Sequence, residues 1–399
     1  MVETSIQLKK SKTVQRIIGK IKGEQKDPII VFFGGIHGNE PAGLIALQEV
    51  FSVLNKEQYK IKGTVYGIRG NMPALLKKQR FLDSDLNRLW TLQKIEEIQK
   101  KVKLKRTSEE KELMEIHAFL LVILQDESST FYFIDFHTTS SKTRPFITIN
   151  DALINRKFSK LFPVPIVLGI EEYLEGPLLN YINQLGYVSL GFESGQHAEQ
   201  EAIKNSVAFI WLTMVYTGLL KKKDVTEFKI HYQQLQTSAE LDTSFYEITH
   251  RHKIEAKDEF KMLVKLKNFT ELSKGTLLAL HNRNEIKTTT NTIIFMPLYQ
   301  TQGEEGFFLI RNIPLLALWA SILFRKIRLD ALLTIFPGVS WGNSKKETLM
   351  VNTRTAKFFT KPFFHLLGYR NKTLNENYIL MNNRERTAKN HLYHNTQWF

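Results

Sequence analysis

Five apolar residues, Ile29-Ile30-Val31-Phe32-Phe33, run straight into Gly34-Gly35-Ile36-His37-Gly38-Asn39-Glu40. A bounded apolar run of this length fits a strand buried on both faces of a parallel or mixed sheet. Open α/β sheets bind their ligands just beyond the carboxyl ends of their strands, so the glycine-rich corner is where chemistry would sit. His37 and Glu40 are three apart and can face the same way in a turn or an opening helix, sharing one ion.

The same arrangement repeats along the chain. Pro41 to Leu54 carries apolar residues at helical spacing, Gly63 to Ile68 reads as a strand, and Leu92 to Asp126 is helical, with Thr107 and Glu110 spaced as a capping box. Phe131 to Phe136 is a further buried strand ending at His137, and Tyr187 to Phe192 another, ending at Glu193. Ile147 to Ile149 and Ile166 to Leu168 are shorter strand candidates, and Ala198 to Leu219 is a long helix. Strand, polar strand end, helix, repeated, predicts an α/β fold: a mixed, mostly parallel sheet with helices on both faces.

Lys221-Lys222-Lys223-Asp224 marks a boundary. Beyond it, short alternating stretches such as Phe245 to Ile248 and Thr292 to Phe295 predict a smaller β-rich domain. The expected division is therefore 1–220, 221–312 and a basic C-terminal extension, 313–399. In that extension the patch Phe358-Phe359, Phe363-Phe364 and Leu366-Leu367 is apolar enough to pack, with only the end after Met381 expected to be free.

The chain has no cysteine, so any ion must be held by imidazole and carboxylate. Residues 1–24 are polar and lysine-rich with no recognisable signal peptide. The longest apolar run, Ile313 to Phe324, is too short to span a bilayer. A cytoplasmic protein is the expectation. The net charge is +15, but residues 313–399 carry 13 Lys and Arg against 4 Asp and Glu and so supply +9 of it; no nucleic-acid partner is expected.

Catalytic zinc takes three protein ligands, commonly two histidines and a carboxylate, and His37, Glu40 and His137 fill that set. A further carboxylate must accept the proton of the attacking water, and Glu193 stands at a strand end for it. Asp83 and Asp85 read as loop aspartates that cap or orient Arg80 and Arg88. Asp135 is either a partner of His137 or simply a buried aspartate. His197 reads as the start of the following helix, and Asn39 and Asn71 as loop bridges.

The motifs Gly34-Gly35-x-His37-Gly38-Asn39-Glu40, Asn71-x-Pro73-Ala74, Arg80-Phe81-x-Asp83-x-Asp85-Leu86-Asn87-Arg88, Asp135-x-His137-Thr138-Thr139 and Glu193-Ser194-Gly195 resemble the succinylglutamate desuccinylase and aspartoacylase family of the zinc carboxypeptidase superfamily. Met296-Pro297-Leu298-Tyr299 extends the likeness into the β-rich region, over roughly residues 29 to 312. The resemblance implies one zinc ion on His37, Glu40 and His137, with Glu193 as base and later proton donor. It also implies that Arg80 polarises the scissile carbonyl and that Asn87 and Arg88 hold a substrate carboxylate, roles that suit an oxyanion partner and a planar fork. The aspartoacylase branch binds a second carboxylate with an arginine and a tyrosine; here Asn183 and Phe307 hold the matching places. The expected activity is amide hydrolysis of an N-acylated amino acid, or similar small substrate, with one carboxylate and a less polar remainder. An esterase or peptidase on the same site, and a silent protein binding through its basic tail, are the alternatives. Homo-oligomerisation stays open.

Overall fold

The computed structural model describes residues 15–57, 59–344, 346–352, 354–355, 361–373 and 378–399. Its centre is an eleven-stranded mixed sheet. In chain order the first eight strands are β1 (Ile17–Lys22), β2 (Ile29–Gly34), β3 (Thr64–Arg69), β4 (Phe131–Thr139), β5 (Phe146–Ile149), β6 (Ile166–Leu168), β7 (Val188–Gln196) and β8 (Phe245–Lys253). Then follow β9 (Phe260–Met262), β10 (Glu271–Leu272), β11 (Leu277–His281), β12 (Asn284–Lys287), β13 (Thr292–Phe295) and β14 (Glu305–Asn312). The large sheet runs β1-β3-β2-β4-β7-β5-β6-β8-β14-β13-β10, with β3, β2, β4 and β7 mutually parallel at its heart.

Alternation along β2 explains the layering. Ile30 and Phe32 point to one face, under the helices Ala42–Glu57 and Gln200–Tyr216; Val31 and Phe33 point to the other, under Leu92–Lys100, Ser108–Ile123 and Leu178–Gln184. The helix Ala42–Glu57 buries Ala46, Leu47, Val50, Phe51 and Leu54, a three-four spacing that keeps one stripe on the sheet. Each such large side chain contributes about 1.5–3 kcal/mol on burial. The Thr107–Glu110 capping box is formed in both directions, the Glu110 N–H donating to Thr107 Oγ1 and the Thr107 N–H to Glu110 Oε2.

The order in which strands are added to the sheet reverses at β2. From β2 the chain steps outward to β3, whereas from β4 it proceeds to the opposite side, so the carboxyl ends of β2 and β4 flank the switch point where α/β sheets bind ligands. The sheet does not stop near residue 220: β8 pairs parallel with β6 and antiparallel with β14, while β12-β11-β9 form a small separate sheet beside it.

Residues after 312 contain more strand than the helical patches of the sequence suggest. β15 (Val339–Trp341), β16 (Thr348–Asn352), β17 (Tyr369–Thr373) and β18 (Tyr378–Asn383) form an antiparallel sheet over a core of Leu333, Leu349, Phe364 and Leu367. Phe358 and Phe359 lie outside the described residues. The expectation that the chain is free after Met381 is wrong. Tyr393 is fully buried in the main core, its hydroxyl accepting from the Val188 N–H and donating to the Phe131 carbonyl, and the Trp398 indole donates to Tyr132 Oη at 3.1 Å. These two late aromatic residues outweigh the polar composition around them. Among the described residues no helix is long and apolar enough to cross a membrane.

Candidate metal centre

Three neighbouring parallel strands deliver the site. β2 ends at Gly34 and turns through Gly35, whose φ of 77° is left-handed and suits a residue without Cβ. Gly38 follows, so close to the backbone of Ala74 and Gln79 that any Cβ would collide with it, and its N–H donates to the Arg80 carbonyl at 3.1 Å. That contact pins the corner holding His37 and Glu40 against the loop holding Arg80. His137 near the end of β4 and Glu193 on β7 are register partners, side by side in the sheet.

His37, Glu40 and His137 converge, their ligand atoms all within 4.8 Å of one another. Glu40 lies between the rings, Oε1 at 2.9 Å from His37 Nδ1 and Oε2 at 3.1 Å from His137 Nδ1. A tetrahedral ion with bonds of 2.0–2.1 Å holds its donors about 3.3 Å apart, so this spacing suits zinc with little movement. The outer nitrogen of each ring is held by a carboxylate: His37 Nε2 meets Asp85 Oδ1 at 3.0 Å, and His137 Nε2 meets Asp135 Oδ2 at 2.8 Å. That leaves both Nδ1 atoms facing the common centre, the arrangement in which a carboxylate fixes the tautomer of a zinc-binding imidazole.

The electrostatics agree. Burial penalises the charged Glu40, yet His37 and His137 hold its carboxyl well below the usual range. Burial opposes the His137 imidazolium, but Asp135 and Glu40 raise its pKa well above the ordinary value. Asp85 is likewise held low against burial by His37 and Arg80.

Glu193 differs from these. Burial pushes its carboxyl up to about 7, only partly offset by His137, and its Oε2 is buried without a hydrogen-bond partner. Arg80 is also buried, its guanidinium donating to Asp85 Oδ2 at 3.0 Å and to Glu40 Oε1 at 3.3 Å, while its Nε has no partner. Both orphaned atoms belong to side chains lining the same cavity.

Asn87 and Arg88 line that cavity too, already engaged with the protein. Asn87 Oδ1 accepts from the Leu178 N–H at 2.9 Å. Arg88 donates to Glu305 Oε2 at 3.1 Å, at the start of β14. The lining also includes the apolar side chains of Ile149, Leu174, Leu179, Met296, Leu298 and Phe308.

Some residues were misread or missed in the sequence. Asp85 orients Arg80, as its loop suggested, but it also orients His37, a link between distant loops that the sequence reading did not include. Glu305 carries no motif. His197 does not begin a helix: it lies in the turn before Gln200, with Nδ1 at 2.6 Å from Thr138 Oγ1 and Nε2 at 3.1 Å from Gln300 Oε1, and it lines the cavity. Asn183 points away, bonded to Asn155, Ser189 and the Leu179 carbonyl. Phe307 is buried against His252, and it is Phe308, on the alternate face of β14, that meets the cavity. Asn39 does bridge loops, to Gln300, whereas Asn71 bonds to Glu109 in the first turn of the helix Ser108–Ile123.

A model of the succinylglutamate desuccinylase/aspartoacylase catalytic domain matches residues 26–204. A curated succinylglutamate desuccinylase from Photorhabdus laumondii is 34% identical over 74 residues, 18% of this chain and 23% of that protein, so the match spans less than a quarter of that relative. A succinylglutamate desuccinylase/aspartoacylase from Rhodobacter sphaeroides superimposes with a TM-score of 0.55 at 15% identity, covering 74% of this chain and 88% of that one. An aspartoacylase family protein from Mesorhizobium loti gives 0.51 at 16%, covering 73% and 87%. At such identities the likeness is one of fold. On the sequence side, residues 26–204 of this chain are similar to the catalytic domain of the succinylglutamate desuccinylase/aspartoacylase family.

Proposed function

We propose that the protein is a zinc-dependent cytoplasmic hydrolase that cleaves the amide bond of an N-acylated amino acid or a similar small carboxylated substrate. The observation that carries this reading is the convergence of His37, Glu40 and His137 beside the unpartnered, buried Oε2 of Glu193. Zinc held by those three residues would lower the pKa of water and polarise the acyl carbonyl. Glu193, with its pKa raised toward neutrality, takes the proton of the attacking water and returns it to the leaving amine. Arg80 offers a fixed positive charge to the oxyanion that develops on the carbonyl, in a buried setting that costs little reorganisation. Asn87 and Arg88 anchor the carboxylate, for which the substrate competes with Glu305.

The apolar lining of Leu174, Leu179 and Phe308 supports a neutral side chain or acyl group over a second carboxylate, whose charge would be costly to desolvate against it. Metal-assisted attack does not discriminate amide from ester, so the same site serves an esterase or peptidase equally well. A panel of N-acyl amino acids with matched esters tests the proposal: hydrolysis of N-acylated neutral amino acids, with N-acetylaspartate weak or inert, is expected. N-acetylaspartate as best substrate would overturn the specificity, and no turnover of any member by the zinc-loaded protein would overturn the activity.

A further inference from the structure

The helix Leu315–Lys326 is packed inside out. Its body-facing side carries Leu318, Ser321 and Arg325. Arg325 reaches Asp151 Oδ2 at 2.9 Å and Glu385 Oε1 at 3.0 Å, and Ser321 accepts from Arg156 at 3.3 Å and donates to the Leu366 carbonyl at 2.7 Å. The solvent side is apolar: Leu315, Leu316, Trp319 and Leu323 are exposed, Leu315 to 81%, Leu316 to 77% and Trp319 to 65%, and Ile327 follows at the cap. At 3.6 residues per turn these five fall within an arc of roughly 120°. The 3-10 turn Leu329–Ile335 that comes next exposes Leu332 and Ile335, with Phe336 after it. Scattered exposed apolar residues are ordinary, but a continuous stripe with its polar partners turned inward marks a surface that is covered by something.

Charge decides what covers it. From Ile313 to Lys346 the sequence has one acidic residue, Asp330, and that is buried against Tyr369, Asn383 and Arg386. Lys326 and Arg328 stand exposed at the end of the stripe, and Lys346 is exposed beyond it. A second copy docking through the same face would bring no exposed carboxylate from this segment to Lys326 and Arg328. An anionic bilayer meets every feature: apolar side chains enter the acyl boundary, Trp319 sits at the headgroup level, and Lys326 and Arg328 face the phosphates.

We propose that the apolar face of Leu315–Lys326, with its flanking cations, docks the protein in the plane of an anionic lipid surface, without spanning it. The inference is independent of the catalytic reading. The test is co-sedimentation of the full chain with phosphatidylcholine vesicles, with and without phosphatidylglycerol. The expected result is binding to the anionic vesicles that weakens with salt. Leu316→Ser with Trp319→Ser should weaken it by about tenfold or more per side chain, and Lys326→Glu with Arg328→Glu should remove the preference for phosphatidylglycerol. These side chains are exposed, so an unchanged thermal midpoint verifies the fold of each variant. Absence of vesicle binding, or binding that the Leu316/Trp319 variant leaves intact, would overturn the proposal. So would a dimer, seen by light scattering, that this variant dissociates, because the face would then belong to a second copy.

Discussion

His37 Nε2 lies 3.0 Å from Asp85 Oδ1, while the other oxygen of the same carboxylate accepts from Arg80 at 3.0 Å. One aspartate thus fixes both an imidazole of the candidate metal centre and the guanidinium expected to meet the oxyanion. Its own loop is fixed in turn by Glu109, fully buried, which accepts from the backbone N–H groups of Leu82, Asp83 and Ser84.

Asp85→Asn should therefore weaken zinc affinity by about 10–100-fold, the usual cost of losing an orienting carboxylate. It should also lower kcat at saturating zinc, because Arg80 loses a partner. Competition with a chromophoric chelator reads the first effect and steady-state kinetics the second. Unchanged zinc affinity would mean that Asp85 serves the loop alone.

The purified protein should carry one zinc per chain, lost in His37→Ala and His137→Ala, and a chelator should abolish turnover. Glu193→Gln should keep the metal while turnover falls by about 10²–10⁴-fold, the contribution of a general acid-base. Elemental analysis beside an activity assay separates these outcomes. Near-normal activity with zinc bound would move the base elsewhere.

The acid limb of the pH profile follows from Glu193. Only the carboxylate accepts a proton, and burial raises its pKa to about 7, so kcat/KM should rise with pH as one proton is lost and then level off. A bound dication pulls the carboxyl downward, which sets the limb at or below about pH 7. Zinc content measured at each pH distinguishes this from metal loss. An acid limb lying clearly above pH 7 with zinc retained would exclude Glu193 as the titrating base.

The central fold was legible because the strands are two-face-buried apolar runs ending in polar corners, as Ile29 to Gly34 and Phe131 to Phe136 show. His37, Glu40 and His137 could be read as a group because each follows such a run. What escaped the sequence depends on geometry across long separations. Glu305 reaches Arg88 over 217 positions, and no local pattern signals that pair. Phe307 and Phe308 are adjacent, and only the pleat of β14, set by its pairing with β8 and β13, says which of them faces the cavity. Ile17–Lys22 was overlooked as a strand because its lysines alternate with apolar residues on an edge strand, where one side is solvated.

Arg88 and Glu305 give a sharper test of substrate anchoring. If Arg88 binds the substrate carboxylate, Glu305→Gln removes a competing anion and should lower KM severalfold with little change in kcat, whereas Arg88→Ala should raise KM. Arg80→Ala should act on kcat instead. KM indifferent to both Glu305→Gln and Arg88→Ala would place the carboxylate elsewhere.

The last ten residues should be part of the folding unit. Tyr393 Oη links the Val188 N–H on β7 to the Phe131 carbonyl on β4, and the rings of Trp398 and Phe158 pack at 5.0 Å. Tyr393→Phe keeps the ring but leaves a buried donor and acceptor unpaired, a loss of about 1–3 kcal/mol. Deleting residues 390–399 also strips the apolar cover from Tyr132 and Phe158 and should cost more, on the order of the 3–5 kcal/mol of a large aromatic truncation. Urea unfolding midpoints measure both. A deletion as stable as the full chain would show that these aromatic contacts add nothing beyond the fold that Ile29 to Asn312 makes without them.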